Sequence, residues 1–288
     1  MIKAHDESIV NILQLHDGRL ISASIDRTIK MWTLDGNSST FYKSGQRYVN
    51  NIIQLHNGNI AFSLHLQEKI IIMTLEGRIL HNVKVHRDEI SHITQLKDER
   101  IVTCSSKIVR IQPSEDYGMI ILKGHTDVIN GVIELYDGRI LSYDKDGIIK
   151  FWDNSNGRCR YTMDIGHIIN HVIQLNDTRL FCQGSYDAGI IISLDGSFKK
   201  VIDFSIFRAI QLRDGRMLSV SITGILKIWS PDNDVVHILG ETDTNINCMI
   251  QLQDDRIVTG YHDGIMRFWS LPVVIKIDQC KLYDVYFH

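Results

Sequence analysis

Proline is almost missing from this chain. Only Pro113, Pro231 and Pro272 interrupt 288 residues, so its turns must be made by other residues. Cysteine is sparse and badly placed for cross-linking. Cys104, Cys159, Cys182, Cys248 and Cys280 are odd in number, widely scattered and without a CxxC pair, which speaks against a disulfide framework and against a structural zinc site. Neither charge sign prevails: 31 basic and 34 acidic side chains leave a formal charge of −3, which gives no electrostatic reason to expect nucleic acid. Short basic clusters such as Arg158-Cys159-Arg160 and Lys199-Lys200 read as solvated edges. No uninterrupted apolar stretch approaches the roughly 18 residues of a membrane span, and the charged opening MIKAHDESI is unlike a signal peptide. A sustained apolar period of 3.6 is missing throughout. These absences point to an all-β protein of a reducing, intracellular compartment, expected to be cytoplasmic and to have no membrane partner.

What the chain has is repetition. LQLHDGRL at Leu13 to Leu20 returns as IQLHNGNI at Ile53, TQLKDERI at Thr94, IELYDGRI at Ile133, IQLNDTRL at Ile173, IQLRDGRM at Ile210 and IQLQDDRI at Ile250. The polar residue before the central Leu falls at Gln14, Gln54, Gln95, Glu134, Gln174, Gln211 and Gln251, with spacings of 40, 41, 39, 40, 37 and 40. A period in this range marks a repeat architecture.

One repeat builds a meander. In the first copy Ile9 to Leu15 is apolar with one polar break, and Asp17-Gly18-Arg19 follows at once. Asp-Gly between two short apolar runs signals a hairpin, because Gly tolerates the positive φ of a tight reversal. Leu20 to Ser24, Thr28 to Trp32 and Thr40 to Lys43 supply three more short strands, separated by turn-prone residues. Seven such sheets in an open stack would accumulate twist and expose edges, whereas radial repetition buries their faces against one another. The expected fold is a seven-bladed β-propeller of four-stranded antiparallel blades.

LISASIDRTIKMW at Leu20 to Trp32, ILSYDKDGIIKFWD at Ile140 to Asp153 and GHTDVI at Gly124 to Ile129 resemble the WD40-repeat family: the first two look like its second and third strands with their turn, the last like its Gly-His opening. All four tryptophans, Trp32, Trp152, Trp229 and Trp269, end the third strand. The resemblance covers nearly the whole chain, with residues 1–277 as the propeller and 278–288 as a tail or extra strand. It implies a buried chain of Trp, Ser or Thr, His and Asp in each blade. That chain maps to His5, Ser22, Asp26 and Trp32 in the first copy and to His125, Ser142, Asp146 and Trp152 in the fourth. The other copies are incomplete. The seventh has Thr259, Asp263 and Trp269 with Glu241 near the His place, and the sixth has Ser219, Thr223 and Trp229. The third has His86 and Thr103 but is one residue short before its third strand. The second keeps Ser63, and the fifth has Gly166-His167, Asp187 and Ser193. WD40 rings usually close through an N-terminal strand. Met1 to Lys3 is barely a strand, so Val273 to Ile277 is the expected outer strand of the seventh blade.

The resemblance also implies that partners dock on the narrower top face, at the start of the first strand and just before the turn Asp. The first place maps to Val10, Asn50, Ser91, Asn130, Asn170, Phe207 and Asn247, the second to Ile25, Lys145, Tyr186 and His262. Asn is depleted in strands, so four in one column suggest an exposed ring of amides able to hold an extended peptide. Phe207 and Tyr186 are the expected aromatic anchors. The next column, Asn11, Asn51, His92, Gly131, His171, Arg208 and Cys248, could face the central channel, but its spacing matches no ligand set. Neither a Gly-rich phosphate loop, a nucleophile elbow nor an HExxH element occurs. The expected function is a non-catalytic scaffold for protein or peptide partners, without cofactor or metal, acting as a monomer or within a hetero-complex. Two other readings stay open: a substrate receptor of a ubiquitin-ligase assembly, which would need an adaptor-binding segment such as an F-box, and a propeller-type lyase or hydrolase.

Overall fold

A computed structural model describes residues 1–33, 36–113, 118–184, 189–232 and 236–271. They form seven four-stranded antiparallel sheets. Blade one runs through Ile9–Gln14, Leu20–Ser24, Thr28–Trp32 and Ser38–Lys43, from the inside of the ring outward. Blades two to six repeat this order. Blade seven takes its first three strands from Ile246–Gln251, Ile257–Tyr261 and Ile265–Trp269, and its fourth from Ile2–Lys3, with Ile2 opposite Met266 and Lys3 opposite Ile265. The ring is thus closed by the two residues judged too few for a strand. Lys3 Nζ also donates to Asp263 O at 2.6 Å, and Ala4 N and His5 N to Gly264 O. The stretch Val273 to Ile277 and the 278–288 tail lie outside the described residues.

Burial follows position in the blade. Second strands such as Leu20–Ser24 and Ile140–Asp144 are buried at every residue because a neighbouring blade covers each face. The outer strand Ile79–Lys84 is exposed at every residue. Seven separate apolar clusters fill the seven seams between blades. The residue ending the third strand packs into the seam with the preceding blade: Trp32 against Leu252, Val258 and Met266, and Trp229 edge-on to Phe181 with ring centroids 5.8 Å apart. Met73 fills this place in blade two, and Ile192 in blade five, where Leu180 pairs with it as Leu20 pairs with Trp32. Ser193, the sequence expectation, is one residue beyond. In blade three the place falls to Gln112, which cannot contribute an apolar face. The seam between blades two and three accordingly has the smallest cluster, Ile70, Val85, Ile90 and Ile93.

The recurrent phrase is explained by contacts that cross these seams. Each Gln or Glu before the central Leu accepts a hydrogen bond from the backbone N–H of the turn in the preceding blade. His16 donates to Gln54 Oε1, His56 to Gln95, Lys97 to Glu134 and Tyr136 to Gln174, at 2.7–2.8 Å. Asn176 donates to Gln211 and Arg213 to Gln251, both at 2.9 Å, and Gln253 donates to Gln14 at 2.8 Å. All seven seams carry this bond, the seam between the last blade and the first included. The Asp-x-Arg of the phrase is a local clamp. Asp17 Oδ1 accepts from Arg19 N at 3.1 Å and Asp17 Oδ2 from Arg19 Nε at 2.8 Å, and Asp137–Arg139, Asp177–Arg179, Asp214–Arg216 and Asp254–Arg256 repeat it.

Candidate partner-binding face

In blade one the polar chain is continuous. Trp32 Nε1 donates to Ser22 Oγ at 2.8 Å, Ser22 Oγ meets His5 Nε2 at 2.7 Å, and His5 Nδ1 meets Asp26 Oδ2 at 2.9 Å. A carboxylate only accepts, so Nδ1 carries the proton and Nε2 accepts from the serine. Asp26 is held in turn by Thr28 N at 2.9 Å, Thr28 Oγ1 at 2.6 Å and Asp6 N at 3.1 Å. Burial lowers the His5 imidazole's pKa against the opposing pull of Asp26.

Blade four has the same chain with a different carboxylate. Trp152 Nε1 donates to Ser142 Oγ at 2.8 Å and Ser142 meets His125 Nε2 at 2.6 Å, but His125 Nδ1 meets Asp144 Oδ2 at 2.6 Å. Asp146, the residue expected from the match with Asp26, is exposed and outside the chain. The reason is local. Asp26 is locked into its turn by the Thr28 hydroxyl, and the equivalent residue in blade four is Ile148, which has none. Asp144 ends its strand facing inward, fully buried, and its Oδ1 takes over the turn by accepting from Asp146 N at 3.1 Å and Ile148 N at 3.0 Å. The residue four before the first inner-strand contact, His5 in blade one, is Thr242 in blade seven rather than Glu241, and its hydroxyl donates to Gly224 O. It is the buried Ile165 in blade five, where His167 is exposed. In blade two Phe62 occupies the Ser22 place. Ser63 lies one residue on, buried, with no partner for its hydroxyl among the described residues.

Most of the amide column is not a free ring. Asn50 Nδ2 donates to Ile90 O at 3.1 Å, Ser91 Oγ to Ile129 O at 3.0 Å, Asn130 Nδ2 to Ile169 O at 2.6 Å and Asn247 Nδ2 to Ile9 O at 3.3 Å. Each therefore joins its blade to the next, and all four are half-buried. The buried carbonyl across the seam is a partner that spacing along one strand cannot reveal. Asn170 and Phe207 are exposed, and Asn170 Nδ2 donates within its own blade to Gly184 O at 3.3 Å. The Arg208 guanidinium lies 5.8 Å from the centre of the Phe207 ring. Lys145 and His262 are exposed, and Tyr186 lies outside the described residues. Two apolar residues missed by sequence reasoning, Ile168 and Ile222, are exposed at 41% and 56%, beside the starts of blades five and six. Ile222 occupies the same turn place as Ile25 and Lys145, which was the available signal.

The neighbouring column lines the channel. Asn11 Nδ2 donates to Asn50 O and Asn51 Nδ2 to Ser91 O, both at 3.0 Å. The missing side chain of Gly131 makes room for the Tyr143 hydroxyl. Burial drives the pKa of His92 down to about 4, and burial together with Arg208 does the same to His171. Both rings are neutral near pH 7. Among the described residues no three or more His, Cys, Asp or Glu side chains converge as a metal site.

The family model described as WD domain, G-beta repeat matches residues 1–33 and 119–153. The Ribosome biogenesis protein WDR12 homolog of Trichoplax adhaerens is 22% identical over 212 residues, covering 61% of this chain and 49% of that protein. Ribosome biogenesis protein YTM1 of Candida albicans is 22% identical over 253 residues, covering 78% and 53%. The chain thus spans about half the length of these curated relatives. Among solved structures, the WD40 β-propeller domain of Doa1 superposes with a TM-score of 0.80 at 16% identity, over 93% of this chain and 95% of that one. A chain of the Mitotic Checkpoint Complex gives 0.74 at 14% identity, over 92% of each. The two matched segments fall in the two blades whose polar chains are complete, and the other five blades build the same sheet with that chain reduced or replaced. Parts of two of the seven blades match the WD40 repeat, and the fold is that of the WD40 β-propellers on which the chain superposes.

Proposed function

We propose that this propeller is a non-catalytic docking platform for a protein partner, and that the partner is received on the top face at blades five and six. The observation that carries this reading is Phe207. Asn50, Ser91, Asn130 and Asn247, in the same column, are engaged across the seams, whereas Phe207 has no polar group to engage and remains 36% exposed beside Arg208. An accessible aromatic next to a guanidinium is the kind of pair that dominates binding energy at interfaces. Ile168, Ile222 and Asn170 add apolar area and an amide on the same side. The names of the relatives, ribosome biogenesis proteins, accord with a role inside an assembly. The four described cysteines are free thiols, which suits a reducing intracellular compartment.

Affinity capture from cells with the wild-type chain and with Phe207→Asp tests the reading. The expected result is loss of the specifically captured protein at an unchanged melting temperature. An identical capture profile would move the site elsewhere, and stoichiometric metal bound at His92 or His171 would overturn the non-catalytic assignment.

A further inference from the structure

Blade three lacks one residue in the turn between its second and third strands, Ile101–Ser105 and Ile108–Ile111. The turn is reduced to Ser106 and Lys107, with Ser105 paired to Ile108. The lost position is the one that holds Asp26 in blade one. Ser105 occupies the place of Asp144, so neither of the two carboxylate positions used elsewhere in the ring is filled by an acid here.

The groups that would bind such a carboxylate are retained. In blade one Asp26 Oδ2 accepts from His5 Nδ1 and from Asp6 N. Their counterparts in blade three are His86 Nδ1 and Arg87 N. His86 Nε2 meets Thr103 Oγ1 at 2.8 Å, and where that hydroxyl donates, as Ser22 does in blade one, the ring proton sits on Nδ1. Neither His86 Nδ1 nor Arg87 N has a hydrogen-bond partner among the described residues. Arg110 stands where blade one has Lys30. Its Nη1 donates to Val85 O at 2.8 Å, as Lys30 Nζ does to Ala4 O at 2.7 Å, while its Nε is buried without a partner among the described residues. A buried unpaired donor costs about 1–3 kcal/mol unless something accepts from it.

These groups line a pocket of about 390 Å³. Its walls include His86, Arg87, Lys107, Arg110 and Lys123, with the Ser105–Ser106 turn between them. Four cationic side chains face one carboxylate, Asp88, which makes no ion pair within 4.0 Å among the described residues. An imidazole nitrogen and a backbone N–H beside a guanidinium in a cationic hollow form a donor set suited to an oxyanion.

We propose that the blade-three pocket binds an oxyanion carried on a partner peptide, a carboxylate or a phosphate, which takes the place of the deleted turn aspartate. Its donors are His86 Nδ1 and Arg87 N, with the Arg110 guanidinium in the wall and Lys107 and Lys123 at the rim. The site stands three blades from Phe207 and does not depend on the docking role assigned there.

The probes are inorganic phosphate and a pair of peptides identical except for phosphoserine or glutamate at one position. Binding to the full chain is followed by calorimetry and by the His86 and Arg110 side-chain NMR signals. Phosphate should bind the wild type and shift both signals. Lys107→Glu with Lys123→Glu should weaken binding at least tenfold while the fold stays intact. An aspartate inserted between Ser106 and Lys107 should abolish binding and raise the melting temperature, because the protein then fills the pocket itself. Phe207→Asp should leave phosphate binding unchanged. A tenfold preference for the phosphoserine peptide assigns the anion to a phosphorylated partner, and equal binding assigns it to an acidic side chain. The proposal fails if phosphate leaves the His86 and Arg110 signals unmoved, or if the inserted aspartate leaves binding intact.

Discussion

Gln14 Oε1 accepts a hydrogen bond from the backbone N–H of Gln253 at 2.8 Å, across 239 positions of sequence. The same amide donates from Nε2 to Gly18 O at 3.1 Å, inside its own turn. One side chain thus fixes a local hairpin and closes the ring, and it does so on the seam already joined by Ile2–Lys3. Gln14→Leu removes both bonds and should cost about 1–2 kcal/mol. Glu134→Gln keeps the acceptor for Lys97 N and gains a donor, so it should be close to neutral. Urea unfolding of the two variants checks the contrast, and equal losses would show that the ring bond contributes nothing.

Asp144 and Asp146 differ by two positions and should differ sharply in cost. Asp144→Ala breaks bonds to His125, Asp146 N and Ile148 N at a fully buried site. Loss of a buried, multiply bonded carboxylate should destabilise the fold by about 3–5 kcal/mol. Asp146→Ala touches an exposed side chain and should fall within about 0.5 kcal/mol of wild type. Thermal melts that rank the two the other way would return the chain to the sequence-based assignment.

How far the sequence carried depends on whether the deciding contact was local. The blade count came from a phrase copied seven times, and its strands from turn residues inside each copy. The Gln column was equally visible, yet its purpose was not, because the group it binds lies in another repeat. The amide column failed for a related reason: Asn50, Asn130 and Asn247 look like strand anomalies until the carbonyl across the seam is placed beside them. Asp144 was missed because matching to blade one ignored what Ile148 lacks. Phe207 stood out because an aromatic in a polar column needs no partner to be noticed, and the structure adds only that it is exposed. Ring closure was misjudged because Ile2 and Lys3 have little strand character alone, and acquire it only from the exposed edge of Ile265–Trp269.

Thr178 should be a point of strain. The repeated turn has Gly18, Gly58, Gly138 and Gly215 at φ of 85–89°, and Thr178 holds the same place at 74°. A β-branched residue in the left-handed region pays about 1–2 kcal/mol for the clash of its side chain with the backbone. Thr178→Gly should therefore stabilise the protein by about 1 kcal/mol, raising the midpoint of chemical denaturation without changing its slope. A lower midpoint would show that the threonine makes a compensating contact.

Acid should weaken the fold through histidines that are held neutral. Burial sets the pKa of His86, His92 and His171 at about 4, against an ordinary value of 6.5. Because the folded pKa is the lower one, the unfolded chain binds more protons between these values, and stability falls as pH is lowered. The contribution is complete above about pH 6.5 and is lost progressively toward pH 4. Melting temperatures measured from pH 7.5 to 4.5 should be flat at first and then decline. His171→Gln should flatten the decline by removing one of the three titrating rings, without altering the plateau trend above pH 6.5. A decline of the same steepness in that variant would place the acid sensitivity in the carboxylates instead, since Asp17, Asp26 and Asp137 also have lowered pKa values, but their loss belongs below the carboxylate range near pH 4 and not to the window between 6.5 and 4.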